Sequence, residues 1–255
     1  MLIAITRGVS AGIGACELTH LKREAIDVAR ARAQHRAYEE ALARAGCRVE
    51  SLPALDDLPD SVFVEDVAIV LDDIAVITRP GAESRRPETA HIAPVLARHR
   101  RVTFIRPPGT LDGGDVLRLG RRIFVGLSGR SDESGIEQLR TVAWPYGYTV
   151  TAVPVSGCLH LKSAVTEISP GFVVVNPAWV DAGVFGKVSV MEVAPEEPYA
   201  ANGLLAGDRL IYPESFPRTR ERLEAAGITI EPVDLSELQK AEGAVTCCSL
   251  VFPRG

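Results

Sequence analysis

Four short polar clusters in this 255-residue chain carry side chains able to do covalent chemistry. Asp60-Ser-Val-Phe63-Val-Glu65-Asp66 sets three carboxylates around an aromatic ring, just ahead of a strongly apolar run. Leu111-Asp112-Gly-Gly-Asp115 holds two more acids in a glycine turn, and His160-Leu-Lys-Ser163 offers an imidazole. Thr246-Cys247-Cys248-Ser249 brings a thiol pair to the start of the last apolar run, Leu250–Phe252. A thiolate is the attacking form of cysteine, so a nucleophile drawn from that pair needs a group that lowers its pKa or takes its proton. His160 can serve as acid and base, and a carboxylate such as Asp112 can orient its ring. The remaining acids suit a planar cation, because a guanidinium stays charged and its N–H fork matches carboxylates. Acids beside a nucleophilic cysteine therefore point to a guanidinium substrate; an anionic one would be repelled.

Each cluster also has a structural explanation. An Asp after Pro59 suits a turn, a Gly-Gly pair suits a hairpin, and a cysteine beside a strand is commonly a small buried hydrophobe. Their shared placement favours chemistry, since all four fall at strand ends. Within the first cluster, strand alternation puts Phe63 and Glu65 on one face and Asp66 on the other, unless the strand breaks between them.

The elements that must position these groups recur along the chain. Leu2–Thr6 reads as a strand and Arg23–Ala45 as its helix, with Gly46 placed as a cap. Asp72-Asp73 turns Val67–Leu71 into Ile74–Thr78, and a helix follows over Pro87–Arg98. Gly120-Arg121 turns Val116–Leu119 into Arg122–Leu127, ahead of a helix over Ser134–Ala143. Pro170-Gly171 joins Ala164–Ile168 to Phe172–Asn176, and Gly207-Asp208 precedes the strand Arg209–Tyr212 and the helix Pro217–Ala226. Taken at one strand per unit, the repeat falls near Ile3, Val76, Phe124, Val174 and Ile211. Such units cannot bury their apolar faces alone, so the pattern fits a closed radial array; an open α/β sandwich without symmetry fits it too.

Bulk properties narrow the classes. A composition 46% hydrophobic and 24% charged is that of a folded globular chain. The net charge of −5 argues against binding nucleic acid or an anionic membrane surface. The apolar start Met1–Thr6 reads as a strand and not a signal peptide, and no apolar run is long enough to cross a bilayer. Five cysteines, odd in number and irregularly spaced, suggest reduced thiols and a cytoplasmic setting. Gly8, Gly12 and Gly14 lack dinucleotide-loop spacing. The pairs Cys16/His20 and Cys158/His160 lack a second ligand pair at zinc-site spacing, so no metal is expected.

At its four clusters, and at Ile77–Arg86 and Phe124–Arg130, the sequence resembles the dimethylarginine dimethylaminohydrolase family of the guanidino-group-modifying superfamily. The match runs over nearly the whole chain, in order as well as content. It implies one α/β domain over residues 1–255, a five-bladed propeller with pseudo-fivefold symmetry (the pentein fold). It also implies Cys247 as nucleophile in preference to Cys248, His160 as acid and base, and Asp112 as the third member. Asp66, supported by Glu65 and Asp60, would hold the guanidinium, with Phe63 packed against it. Arg85 and Arg130 would take the α-carboxylate. Leu18, in a lid, and Ala241 would contribute backbone groups near the α-amine, although Ala241 is smaller than the family's usual residue there. The implied substrate is a small methylarginine cleaved to citrulline and an amine without a cofactor, by a monomer or a homodimer. Rival readings are an arginine deiminase or amidinotransferase on the same scaffold, although deiminases usually carry an extra helical domain, and a non-catalytic propeller that binds a partner.

Overall fold

The apolar runs become strands of five separate three-stranded sheets in a computed structural model that describes residues 1–255. In chain order the strands are β1 (Leu2–Arg7), β2 (Cys47–Leu52), β3 (Ala68–Val70), β4 (Ile74–Ile77), β5 (Arg101–Phe104), β6 (Val116–Leu119), β7 (Arg122–Leu127) and β8 (Thr149–Pro154). They continue as β9 (Val165–Ser169), β10 (Phe172–Val175), β11 (Ser189–Glu192), β12 (Leu204–Ala206), β13 (Arg209–Pro213), β14 (Ile230–Val233) and β15 (Leu250–Pro253). Every sheet has one plan: a middle strand pairs antiparallel on one side and parallel on the other. The middle strands are β1, β4, β7, β10 and β13, the five positions at which the repeat is read from sequence.

A parallel neighbour requires a crossover, and helices supply it in four blades. They are α1 (Val28–Arg44), α2 (Thr89–Leu96), α3 (Glu133–Ala143) and, after the short α4 (Leu161–Ala164), α5 (Pro217–Ala225). The fourth blade departs from the repeat, crossing from β10 to β11 through a single 3-10 turn at Ala182–Phe185. Helix α1 starts later than its apolar pattern suggests because Asp27 caps it, accepting the Arg30 N–H. Gly46 follows the helix at φ +87°, a left-handed conformation that suits glycine. Pro87 falls in a 3-10 turn, Glu83–Glu88, so α2 begins at Thr89.

Middle strands are buried on both faces, hence their nearly unbroken apolar sequence. Their side chains join apolar clusters that span neighbouring blades. One holds Tyr38 and Leu42 of α1 with Ala4 of β1, Ile211 of β13 and Val233 of β14. Another holds Ile136 and Leu139 of α3 with Ile74 and Val76 of β4.

Polar segments, by contrast, immediately precede the first strand of each hairpin, and hydrogen bonds link them into a closed circle. Glu65 N–H donates to the Cys247 carbonyl (3.2 Å) and Gly113 N–H to the Asp66 carbonyl (2.9 Å). Leu161 N–H donates to Asp115 Oδ1 (2.9 Å), and Asn202 Nδ2 to the Lys162 carbonyl (3.0 Å). Thr246 N–H closes the circle on Asn202 Oδ1 (3.1 Å). With β15 paired to β1, the two ends of the chain complete the five-bladed α/β propeller.

Candidate active site

The segment Asp60–Asp66 is a succession of turns, not a strand, and this overturns the alternation expected for it. Phe63 and Asp66 open into the same small cavity, and Glu65 points away from it. The cavity, about 20 Å³, is walled by Asp60, Phe63, Asp66, Arg85, Arg130, His160, Ala241 and Cys247 of the sequence-derived set. Glu17, Leu159, Glu242 and Gly243 complete the wall.

His160 stands at the residue before α4, ahead of β9, with its side chain free of the helix end and both ring nitrogens facing acids. Nε2 lies 3.1 Å from Asp112 Oδ2, and Nδ1 lies 3.8 Å from Asp66 Oδ1. Asp112 is fully buried; its Oδ1 accepts the Gly81 N–H (2.9 Å) and its own N–H donates to Ser131 Oγ (3.0 Å). Burial alone would push the His160 pKa down, but the carboxylates of Asp66, Asp112 and Asp115 outweigh it and hold the pKa up to about 9. The ring is therefore an imidazolium at neutral pH.

The Gly-Gly pair between the two acids is more than a hairpin device. A Cβ on Gly114 would sit 2.5 Å from His160 Nδ1 and 2.7 Å from Asp66 Oδ1, so only glycine lets these groups meet. Asp115 fixes the neighbouring segments by accepting Ser128 Oγ (2.6 Å), Ser131 Oγ (2.7 Å) and the Leu161 N–H.

Asp66 also accepts Arg85 Nη1 (2.5 Å) and the Gly114 N–H (3.1 Å). Burial works against its ionised form, but His160 and Arg85 prevail and hold its pKa below the usual carboxylate range. Arg85 is itself buried and largely engaged: Glu88 takes Nε and Nη2, and the carbonyls of Asp60 and Phe63 take Nη2 as well. One Nη1 N–H is left for a ligand. Arg130, half-buried at the rim, is the freer cation, with Nη2 on Thr19 Oγ1 (3.1 Å). Asp60 accepts the Glu17 N–H (3.1 Å), and burial raises its pKa.

Cys247 is half-buried, whereas Cys248 is enclosed in the apolar cluster around Tyr38 and Leu42. Burial and then the charges of Glu65 and Asp66 push the Cys247 thiol far above its ordinary pKa. At rest the site thus holds a neutral thiol beside an imidazolium.

Three sequence-derived residues do not wall the cavity: Asp112, which stands behind His160, Leu18 and Glu65. Leu18 sits half-buried in the loop that contributes Glu17. Glu65 pairs with Lys162 Nζ and accepts Thr246 Oγ1 (2.8 Å), lining a separate space of about 250 Å³ at the hub. Its action on Cys247 is through its charge. Asn202 and Glu88 escape sequence reasoning as site residues, whereas Lys162, Thr246 and Asp115 lie within the polar clusters but receive no individual role from them. Asp66, Asp112 and His160 bring three ligand atoms within 4.8 Å, a spacing that could hold a metal ion. Their pairing here, with Nε2 committed to Asp112 and Asp66 to Arg85, is that of an acid–base set.

A cysteine, an acid-flanked histidine and surplus carboxylates at the hub of a five-bladed α/β propeller define the guanidino-group-modifying class. The arginine deiminase family model matches residues 18–184. The chain is 44% identical over 249 residues to an N(G),N(G)-dimethylarginine dimethylaminohydrolase of Streptomyces coelicolor, covering 97% of this chain and 95% of that one. A Pseudomonas aeruginosa protein of the same name is 36% identical over 228 residues, covering 89% and 90%. A solved structure of the Pseudomonas aeruginosa enzyme, a cysteine-to-serine mutant complexed with citrulline, superposes with a TM-score of 0.92 at 33% identity and covers 98% of each chain. The chain belongs to the dimethylarginine dimethylaminohydrolase family.

Proposed function

We propose that this protein hydrolyses Nω-methylated arginines, asymmetric dimethylarginine and monomethylarginine, to citrulline and dimethylamine or methylamine, with residues 1–255 acting as one catalytic domain. The observation that carries this reading is the meeting of Cys247, His160 and the surplus carboxylate of Asp66 on one cavity. The Pseudomonas relative's complex with citrulline supports it.

The charges suggest how the steps run. A guanidinium docking on Asp66 offsets the carboxylates that hold the Cys247 thiol protonated, so its arrival releases the thiol proton to solvent. The thiolate then bonds to the guanidinium carbon. His160, already an imidazolium, gives its proton to the departing amine nitrogen as the C–N bond breaks, leaving a cationic thiouronium on Cys247. Neutral His160 next takes a proton from water, whose oxygen adds to the same carbon. The C–S bond breaks as the urea carbonyl of citrulline forms, and the hydroxyl proton passes to the leaving sulfur. Asp112 keeps the ring oriented throughout, and thiol, imidazole, carboxylates and water suffice for the scheme.

Arg130 and the remaining Arg85 N–H would receive the α-carboxylate, and Asp60, Leu18 and Ala241 would surround the α-amine. Five free thiols suit a reducing cytoplasm, and a homodimer is compatible with this arrangement. Citrulline formation from asymmetric dimethylarginine, monomethylarginine and arginine, measured side by side, tests the reading. Methylated substrates should give the highest kcat/KM; arginine as the best substrate would assign a deiminase instead.

A further inference from the structure

Glu242 is the one residue other than glycine at positive φ, +58°, and it stands between Ala241 and Gly243, both walls of the reaction cavity. A non-glycine residue in that region carries strain and persists where surrounding interactions hold it. The helical turn Ser236–Gln239 ends on it in a Schellman cap, Glu242 N–H donating to the Gln239 carbonyl (3.1 Å) and Gly243 N–H to the Leu238 carbonyl (3.1 Å), and its carboxylate adds a second tie. Glu242 Oε1 accepts the backbone N–H groups of three consecutive residues, Thr19 (3.0 Å), His20 (2.5 Å) and Leu21 (2.6 Å). Hydrogen bonds to an ionised acceptor are the stronger kind.

The tethered loop is also tied to the cavity wall. Glu17 N–H donates to Asp60, and Thr19 Oγ1 accepts Arg130 Nη2 (3.1 Å). At about 20 Å³ the cavity has room for roughly one water molecule. A methylarginine is many times larger, so the cavity as it stands does not hold the whole of one. Beside it lies an antechamber of about 250 Å³, lined by His20 and Leu21 of the same loop and sharing Leu159, Glu242 and Gly243 with the cavity wall.

We propose that Glu242 is the latch of this loop. Its three amide bonds hold the loop over the reaction cavity, and their release joins cavity and antechamber so that substrate enters and product leaves. Glu242 is a positioning residue: it sets where Arg130 and Asp60 stand through the loop that both of them bind. This inference rests on the methylarginine reading for its kinetic consequence, but not for its structural one.

Amide hydrogen exchange on the full chain separates the two. Asn tolerates the left-handed backbone but has a side chain one methylene too short to reach, so Glu242→Asn should keep the fold and lose the latch. Exchange at Thr19, His20 and Leu21 should accelerate by about tenfold, while Glu242→Gln, which retains reach but not charge, should accelerate it by about threefold. KM for a methylarginine should rise about tenfold in Glu242→Asn with kcat changed less than about threefold, because capture weakens while the reacting groups stay in place. Unchanged exchange at these amides in a folded Glu242→Asn, or in Glu242→Gln if the first variant does not fold, overturns the latch. Faster exchange in a protein that turns over no methylarginine would sustain the latch and refute the functional reading.

Discussion

Glu65 and Asp66 are neighbours in the chain, yet they serve two unlike regions. Glu65 turns into the hub space, where Lys162 neutralises it and Thr246 donates to it. Asp66 turns into the reaction cavity beside His160 and Arg85. The other segments divide in the same way: Lys162 and Thr246 face the hub space, and His160 and Cys247 face the cavity. In the hub space the acid has its own cation, which suits a framework. Around the cavity, Asp60, Asp66, Asp112, Asp115 and Glu88 outnumber the buried cations Arg85 and His160. In the proposed reaction a bound guanidinium offsets that excess of carboxylates, and acids left over for a ligand are a mark of functional sites.

The sharpest way to break this contrast is to exchange one member of each pair. Cys247→Ser should lower kcat by at least about a thousandfold while the thermal midpoint stays near that of the parent. Its hub-side neighbour should behave oppositely: Thr246→Val loses its bond to Glu65 and about 1–2 kcal/mol of stability, with little change in kcat. A thermal midpoint that falls more for Cys247→Ser than for Thr246→Val would erase the distinction.

Next in size is the carboxylate pair. Asp66→Asn should reduce kcat/KM by about a hundredfold, through loss of the charge facing the guanidinium. Glu65→Gln should cost mainly stability, and at fixed pH it should speed alkylation of Cys247, since Glu65 is the leading charge that holds that thiol protonated. Gly114→Ala should lower kcat by about tenfold or more by driving a methyl group between His160 and Asp66. Equal activity in the alanine variant would mean that the close approach of imidazole and carboxylate has no part in catalysis.

A smaller effect concerns pH. With a folded-state pKa of about 9 against an unfolded value of about 6.5, His160 contributes stability fully below pH 6.5, and the contribution fades as pH rises to 9. The stability gap between the parent and His160→Gln, followed by urea midpoints, should therefore shrink across that interval. Asp112→Asn should move the imidazole titration seen by NMR downward. Least of all should be Cys248→Ser, which alters an apolar contact and should keep kcat within about threefold of the parent.

Much of the fold is legible in the sequence because its middle strands are apolar on both faces and bounded by turn residues. The strands at Val116–Leu119 and Arg122–Leu127 form at the bounds read from sequence. The missing helix of the fourth blade is the largest departure from the repeat. At the site, the residues that wall the cavity are legible as types, but their directions are not. The alternation applied to Phe63, Glu65 and Asp66 fails because those residues lie in turns, where side-chain direction follows local φ and ψ and not a period of two. The roles of Lys162 and Asn202 go unread for another reason: their partners, Glu65 and Thr246, come from other blades. Arg85 shows a third limit, since nothing in its surroundings in sequence reveals that Asp66 and Glu88 occupy most of its donors.

The most direct test is mass spectrometry of the protein trapped with a slowly turned-over methylarginine analogue, followed by fragmentation between the two adjacent cysteines. The expected result is a stoichiometric thiouronium adduct on Cys247, absent from Cys247→Ser and retained in Cys248→Ser. An adduct confined to Cys248, or turnover of the analogue with no cysteine adduct at all, would contradict Cys247 as the nucleophile.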